Sequence, residues 1–189
     1  MNRILLIVAL EEEFRNLPRN FPGKIAYSGV GKINASHTTT YLINEFKPDL
    51  VLNFGSAGRV SSLETGIFEI GSVIERDFMA MPLSERGIVP FDEFPHELIS
   101  YHSGIKCATG DSFVTKKDPW LMERKVDVVD MELFAIAKVS KKLGVPWRSF
   151  KYITDDTNES SGKDWKENLV KADGAFQLVL EKILSKTIY

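Results

Sequence analysis

The chain has very little of what several classes of protein require. A single cysteine, Cys107, among 189 residues excludes an intrachain disulfide framework and argues against a cysteine-rich zinc site. The three histidines, His37, His96 and His102, have no spacing typical of metal ligands. We therefore expect neither a bound metal nor a cofactor.

Long hydrophobic runs and an excess of one charge are also missing. The longest apolar run, residues 4–10, is about a third of the roughly 20 residues that a membrane helix needs. It ends in three glutamates rather than in the small-residue cleavage site of a signal peptide. The 24 Lys+Arg are balanced by 26 Asp+Glu, so no basic stripe for nucleic acid is present. We expect a cytoplasmic protein that spans no membrane and binds no nucleic acid.

What is present is an alternation of short aliphatic stretches and amphipathic ones. Residues 4–8 and 50–54 are continuous apolar runs, which is typical of strands covered on both faces. Between them a helical spacing predicts one buried stripe, formed by Ala35, Thr39, Leu42, Ile43 and Phe46. The order of strand, helix and strand predicts parallel pairing of the two strands.

The second half of the chain continues this alternation. Residues 126–129 predict a strand that stops at Asp130, and a helix is expected from about Met131 to Gly144, a residue suited to a left-handed helix end. A strand is expected at 147–153. The last helix would turn six residues inward: Trp165, Leu169, Ala172, Phe176, Val179 and Ile183. Residues 79–97 are expected to form a long loop with one short helical turn, and residues 1–189 to form one α/β domain.

Acidic residues follow several of the predicted strands, at the edge where open α/β sheets bind ligands. Glu11, Glu12 and Glu13 follow the first strand, Asp130 and Glu132 follow the strand at 126–129, and Asp155 and Asp156 follow the strand at 147–153. Acids that converge from three strands, without a histidine or cysteine cluster, favour general acid–base chemistry over metal binding. Taken singly, each acid is also explained as a helix cap or a first-turn residue, and the Gly-Ser-Ala-Gly turn at 55–58 is a weak phosphate signature.

Six motifs in a fixed order favour the functional interpretation. They are Ala9-Leu10-Glu11-Glu12-Glu13, Ser28-Gly29-Val30-Gly31-Lys32, Asn53-Phe54-Gly55-Ser56-Ala57-Gly58, Gly110-Asp111-Ser112-Phe113-Val114, Val129-Asp130-Met131-Glu132 and Ile153-Thr154-Asp155. From residue 3 to about 180, the series resembles the nucleoside phosphorylase and nucleosidase superfamily, most closely the 5′-methylthioadenosine/S-adenosylhomocysteine nucleosidases. The resemblance implies a three-layer α/β/α sandwich around a central mixed sheet, usually assembled as a homodimer.

The resemblance also implies a role for each motif. Glu13 matches the acid that positions and activates the attacking water. Asp155 matches the acid that protonates or hydrogen-bonds the purine N7, with Thr154 where the family usually has serine. Glu132 matches the carboxylate that holds the ribose hydroxyls. The other implied substrate-binding residues are Met131 against the sugar, Phe113 and Val114 at the base, and Ser56, Ala57 and Gly58 near the water and sugar.

Four departures from the family pattern bear on the substrate. Asp130 replaces the glutamate usual before the methionine, and Lys151 stands where an arginine near the sugar is common, so that a planar two-point contact is lost. Both residues are still expected to bind substrate. The stretch at 14–28 is shorter than in the family and is expected to lack strands. The region at 76–105 is also shorter, although in the family it covers the 5′ group and reaches the partner's site.

The expected reaction is hydrolysis of a purine nucleoside, releasing adenine from a 5′-modified adenosine such as methylthioadenosine or S-adenosylhomocysteine. Breaking an N-glycosidic bond builds positive charge on the sugar and negative charge on the base, which explains the need for several acids. A purine nucleoside phosphorylase, an aminofutalosine-type hydrolase and a non-catalytic nucleoside-binding protein remain alternatives. Asn53, where the related phosphorylases have an arginine, favours water over phosphate.

Overall fold

The computed structural model of the chain describes residues 3–19, 21–116, 118–158 and 161–186, the last range without the side chains at 161–167, 170 and 186. The strands are β1 (Ile4–Val8), β2 (Gly23–Tyr27), β3 (Leu50–Arg59), β4 (Ile67–Glu75), β5 (Glu97–Ile99), β6 (Ile105–Thr109), β7 (Val128–Asp130) and β8 (Trp147–Asp155). The helices are α1 (Lys32–Phe46), α2 (Pro119–Glu123), α3 (Leu133–Lys142) and α4 (Ser161–Lys186). Across the described ranges, none of these helices has the length and apolar character needed to cross a bilayer.

All eight strands belong to one mixed sheet with the order β2-β1-β3-β7-β6-β4-β5, in which β8 pairs with both β3 and β4. The β1–β2, β1–β3, β3–β8, β4–β6 and β6–β7 pairs are parallel, whereas β3–β7, β4–β5 and β4–β8 are antiparallel. Because β8 joins β3 to β4, the strands β3, β7, β6, β4 and β8 form a closed ring of pairings. The carboxyl ends of β3, β6, β7 and β8 therefore come close together, which is where the predicted acids lie.

Helices cover both faces of the sheet, which confirms the three-layer α/β/α sandwich. Helices α1 and α3 pack on each other and on one face, where Leu5 and Ile7 of β1 are buried. Helix α4 packs on the other face, where Ile4, Leu6 and Val8 of the same strand are buried. The continuous apolar run of β1 is thus explained, because alternate side chains enter two separate cores.

Four phenylalanines fix the chain next to Glu13. The ring of Phe54 stacks on that of Phe176 at 4.8 Å and meets Phe14 edge to face at 5.5 Å, while Phe150 meets Phe54 at 5.9 Å. Phe14 is fully buried and directly follows Glu13. Aromatic burial of this kind is worth several kcal/mol, on the order of 3–5 when it is lost on truncation to alanine. The cluster therefore holds the turn that carries Glu13 against the end of β3.

Most of the predicted elements are confirmed. The strand at 4–8 and the helix through Ala35 and Ile43 lie where they were expected, and Gly144 adopts φ 71°, the left-handed conformation inferred for it. Helix α3 begins at Leu133 rather than at Met131, because the Asp130 carboxylate caps the Leu133 amide. The predicted inward position of Trp165 lies outside the described side chains.

Three expectations are corrected. The stretch at 14–28 does not lack strands, because β2 occupies Gly23–Tyr27 and pairs in parallel with β1. Its half-buried residues at the sheet edge leave no continuous apolar run for the sequence to display. The long loop is confirmed up to β5, but it has turns and no helix at 79–96. The strand expected at 50–54 runs on to Arg59, which carries the Gly-Ser-Ala-Gly segment into the sheet instead of a turn.

Candidate active site

A cavity lies at the point where the ends of β3, β7 and β8 meet the segments that follow β1 and β6. Its lining consists of Ala9, Leu10, Glu13, Val30, Ser56, Ala57, Gly58, Arg76, Ser112, Phe113, Val114, Val129, Asp130, Met131, Glu132, Thr154, Asp155 and Thr157. The four acids predicted as site residues are all buried, with Asp155 the most exposed at 8%. Carboxylates held out of water in one cavity have strongly environment-dependent chemistry, so each one needs its own account.

Glu13 occupies one end of the cavity and is held by three donors. Its Oε1 accepts hydrogen bonds from the Ser56 amide at 2.8 Å and the Ser56 hydroxyl at 2.6 Å, and its Oε2 accepts one from the Leu10 amide at 3.2 Å. The burial of Phe14 fixes the backbone beside it. The carboxylate is therefore oriented by groups from both β1 and β3, and it lies in a position to accept a proton from a small neutral molecule bound next to Ser56.

Glu132 lies at the start of α3 and reaches across to the start of α1. Its Oε1 accepts the Gly31 amide at 2.9 Å. Gly31 has φ 95°, a conformation open to glycine, and a Cβ there would lie 3.2 Å from Asp111 Oδ1. Burial, the neighbouring Asp130 and Glu13 raise the pKa of Glu132 to about 8 against the opposing effects of Lys151 and the Gly31 amide. The raised pKa therefore favours the protonated form of the Glu132 carboxyl near neutral pH.

Asp130 and Lys151 form an ion pair with no exposure to solvent. Lys151 Nζ lies 2.7 Å from Asp130 Oδ2, and the two side chains are 1% and 0% exposed. Asp130 also accepts the Thr109 hydroxyl at 2.6 Å and the Leu133 amide at 2.9 Å. The ammonium group lies directly beneath Gly55, where a Cβ would be 2.9 Å from Nζ. This glycine therefore makes room for the lysine.

The pair determines the charge next to Glu132. Burial alone would raise the pKa of Asp130, but Lys151 and the Thr109 and Leu133 donors hold it below its ordinary value. Burial alone would lower the pKa of Lys151, yet Asp130 and then Glu132 raise it above its ordinary value. Both members are therefore charged, and the lysine compensates Asp130 more than Glu132.

Asp155 lies at the opposite end, beside an irregularity in the sheet. The register of β3 and β8 shifts between Ala57 and Gly58, so that Gly58 faces Asp155. Such a bulge turns a side chain away from its regular direction. Asp155 Oδ1 accepts the Thr157 amide at 3.0 Å and Oδ2 accepts the Thr154 hydroxyl at 3.2 Å. A Cβ at Gly58 would lie 2.9 Å from Asp155 Oδ1, so the carboxylate needs a glycine opposite it.

The segment after β6 forms the open side of the cavity. Phe113 is 51% exposed and Val114 is half-buried. A flat aromatic side chain at the mouth, close to a carboxylate such as Asp155, suits a planar heterocycle that both stacks and hydrogen-bonds. Arg76, which is 4% exposed, lies behind this segment and hydrogen-bonds to Gly110 and Ser112.

The structure brings together all the predicted site residues except Lys151, which does not reach the cavity and pairs with Asp130 instead. Arg76 and Thr157 also line the cavity, although neither was predicted from the sequence as a site residue. Thr157 follows Asp155 by two residues, so its proximity was open to inference. Arg76 follows β4, a strand that was not predicted, and a lone arginine after a strand has no sequence signal. In the described part of the chain, no group of three or more His, Cys, Asp or Glu side chains could hold a metal ion.

Comparisons with known proteins identify the family of the chain. Residues 22–185 match the family model of the phosphorylase superfamily. The 5′-methylthioadenosine/S-adenosylhomocysteine nucleosidase of Lysinibacillus sphaericus (strain C3-41) is 30% identical over 84% of this chain and 79% of its own. The corresponding protein of Geobacillus kaustophilus (strain HTA426) is also 30% identical, over 82% of this chain and 77% of its own.

Solved structures agree on the fold. The Helicobacter pylori 5′-methylthioadenosine/S-adenosylhomocysteine nucleosidase with butyl-thio-DADMe-Immucillin-A has a TM-score of 0.86 at 24% identity, covering 98% of this chain and 99% of its own. The futalosine hydrolase of H. pylori strain 26695 has a TM-score of 0.83 at 22% identity, covering 97% and 96%. By its family match and its sequence relatives, the chain belongs to the phosphorylase superfamily and, within it, to the 5′-methylthioadenosine/S-adenosylhomocysteine nucleosidases, a family of N-glycosidic hydrolases.

Proposed function

We propose that this chain hydrolyses the N-ribosyl bond of a 5′-modified adenosine, such as methylthioadenosine or S-adenosylhomocysteine, and releases adenine. The observation that carries the proposal is the separation of three buried acids within one cavity. Glu13 is held at the end of β3, Glu132 at the start of α3 and Asp155 at the end of β8. The names of the sequence relatives support the 5′-modified adenosine as substrate.

The three acids then divide the reaction between them. The bond from ribose C1′ to the purine nitrogen breaks, and the oxygen of a water molecule bonds to C1′. Glu13 takes a proton from that water. Asp155 donates a proton to purine N7 as negative charge grows on the base. Glu132, whose raised pKa favours the protonated form, can both donate to and accept from the ribose hydroxyls. Adenine and the 5′-modified ribose are the products.

Water is a better nucleophile for this cavity than phosphate. Asn53, where the related phosphorylases have an arginine, is buried, and its amide donates to the carbonyls of Ile7 and Phe54. Arg59, just after the Gly-Ser-Ala-Gly segment, forms an ion pair with Asp156. Lys32 forms ion pairs with Glu75, Asp77 and Asp111. An incoming dianion would also be repelled by Glu13.

Phosphate independence is the first test of the proposal. Purified protein in phosphate-free buffer, with methylthioadenosine as substrate, is expected to release adenine and free methylthioribose, measured by chromatography. Adding phosphate is expected to leave the rate unchanged and to give no sugar 1-phosphate. Strict dependence on phosphate would make the protein a phosphorylase. Binding without turnover would make it a nucleoside-binding protein, and turnover of aminofutalosine alone would change the substrate.

The role of Asp155 can be tested against its neighbour. Asp155→Asn keeps an oxygen acceptor for the Thr157 amide but cannot supply the proton, so kcat is expected to fall by about 100- to 10,000-fold. Asp156→Asn is the matched control, because Asp156 is exposed and pairs with Arg59 at the surface. Adenine binding and thermal unfolding should remain close to those of the wild type in both variants. Equal turnover in the two variants would place the proton donor elsewhere.

Glu13 offers a similar comparison with the acid before it. Glu13→Gln retains an acceptor for Ser56 but cannot take a proton from water, so we expect a loss of kcat of about 100-fold or more with a small change in KM. Glu12→Gln, at an exposed position in the same turn, should behave as the wild type. Full hydrolysis by the Glu13 variant would refute the placement of the attacking water beside Ser56.

We also propose that the chain acts as a single-domain, cytoplasmic homodimer. In the loop after β4, four apolar side chains are exposed, Met79, Met81, Leu83 and Phe91, and a group of this kind in one segment is typical of a surface that packs against a partner, whereas a single exposed apolar residue is not. Light scattering at micromolar concentration should give twice the chain mass of 21.3 kDa. Met79→Glu should weaken the dimer, whereas Leu178→Glu on α4 should not, although Leu178 is 69% exposed. A monomeric wild-type protein would contradict the proposal.

A further inference from the structure

Arg76 is a buried cation at the cavity whose donors are directed at one short segment. Its Nη1 donates to the Ser112 hydroxyl at 3.2 Å, and its Nη2 donates to the Gly110 carbonyl at 3.0 Å and to the Ser112 carbonyl. The residue is 4% exposed and lines the cavity together with Ser112, Phe113 and Val114. Among the described residues, it is thus a direct link between the end of β4 and the segment at the open side of the site.

The segment is seated tightly on this part of the chain. The Arg76 amide donates to the Thr109 carbonyl at 2.8 Å, and Asp77 Oδ2 accepts the Asp111 amide at 2.6 Å. A Cβ at Gly110 would lie 2.8 Å from Arg76 Cγ and 2.7 Å from Asp77 Cγ. The backbone at 110–112 therefore has one place to lie, and the two residues after β4 define it.

The guanidinium group of Arg76 leaves one of its own buried donors without a hydrogen-bond partner. Arg76 Nε is buried without a hydrogen-bond partner, and in the described part of the chain it is the one buried side-chain nitrogen or oxygen in that condition. An unsatisfied buried donor is unfavourable, so its presence calls for a compensating interaction. The two Nη groups supply it through their hydrogen bonds to the Gly110 carbonyl and to the Ser112 carbonyl and hydroxyl.

Phe113 and Val114 directly follow the residues that Arg76 holds. Phe113 is half exposed, so its ring is steered by the backbone before it more than by packing around it. On the proposed function, this ring stacks on the purine and the Val114 main chain hydrogen-bonds to it. A stacked base needs both groups at a fixed distance and angle, and a flexible segment would lose binding energy each time it is ordered.

We propose that Arg76 is a positioning residue for purine recognition: by holding the Gly110 and Ser112 carbonyls it sets the place of Phe113 and Val114 against the base. The inference rests on the proposed function and extends it to a residue that does not touch the reacting atoms. It separates Arg76 from the three acids, which act on the sugar, the water and the proton of the leaving base.

The test compares Arg76→Met and Arg76→Lys with the wild type, using methylthioadenosine for kinetics and free adenine for calorimetry. Arg124→Met, a change at a partly exposed arginine packed on Trp120, is the control and should leave all values unchanged. We expect Arg76→Met to raise KM and the Kd of adenine by the same factor, about tenfold or more, while kcat changes by less than about threefold. Arg76→Lys should recover little of this, because one ammonium cannot bridge two carbonyls and a hydroxyl.

Each result decides the matter. A parallel increase in KM and in the Kd of adenine supports the inference. Ser112→Ala removes one acceptor and keeps the arginine, so it serves as the test if Arg76→Met does not fold; a smaller parallel increase in this variant also supports the inference. An unchanged adenine Kd in folded Arg76→Lys and Ser112→Ala overturns it, as does a fall in kcat at constant KM. If the wild-type protein itself neither releases nor binds adenine, the proposed function fails first and this inference fails with it.

Discussion

The buried ion pair between Lys151 and Asp130 is the interaction on which the site depends. Asp130 ends β7, receives the Thr109 hydroxyl from the end of β6 and caps the Leu133 amide of α3, while Lys151 reaches it from β8. Three strands and a helix are therefore tied to one carboxylate. Removing either charge would leave the other buried without an oppositely charged partner, which costs about 3–5 kcal/mol in comparable cases. Within the closed ring of strand pairings, the pair joins β7 to β8, and Glu132 follows Asp130 by two residues.

The pair also explains two departures from the family pattern as one. Asp130 is a shorter acid than the glutamate usual at its position, and Lys151 replaces a common arginine near the sugar. In this chain the two side chains meet at 2.7 Å beside Gly55, and Asp130 still lines the cavity whereas Lys151 does not. Burial and then the charge of Asp130 raise the pKa of Glu132, and the lysine, which is paired with Asp130, only partly opposes them. The substitutions are complementary, and together they move a positive charge out of the substrate's reach.

The local hydrophobic pattern of the sequence predicted the elements that are fully buried. Strand β1 has both faces covered and displays an unbroken apolar run, and the motif residues at strand ends were predictable through the family resemblance. Strand β2 was missed because it is a half-buried edge strand that begins at Gly23, where a side chain would meet the Ile4 carbonyl. Strand β4 was missed because Glu69 and Gly71 interrupt its apolar residues. Pairing partners supplied by distant segments stabilise both strands, and no local pattern records them.

The same reasoning explains why the cations were harder to predict than the acids. Each acid lies in a short local motif that can be recognised in the sequence. The partners of Arg76 are carbonyls 34 and 36 residues away, and the partner of Lys151 is an acid on another strand, so no local motif marks either cation. The sequence shows which cationic residues are present. Only the folded structure shows which of them are already paired and which could bind an anion. With Lys151 on Asp130, Arg59 on Asp156 and Arg76 on backbone carbonyls, an anionic co-substrate would have to break an existing interaction before it gained a new one. Water requires no such exchange, which is the physical reason that this cavity favours hydrolysis.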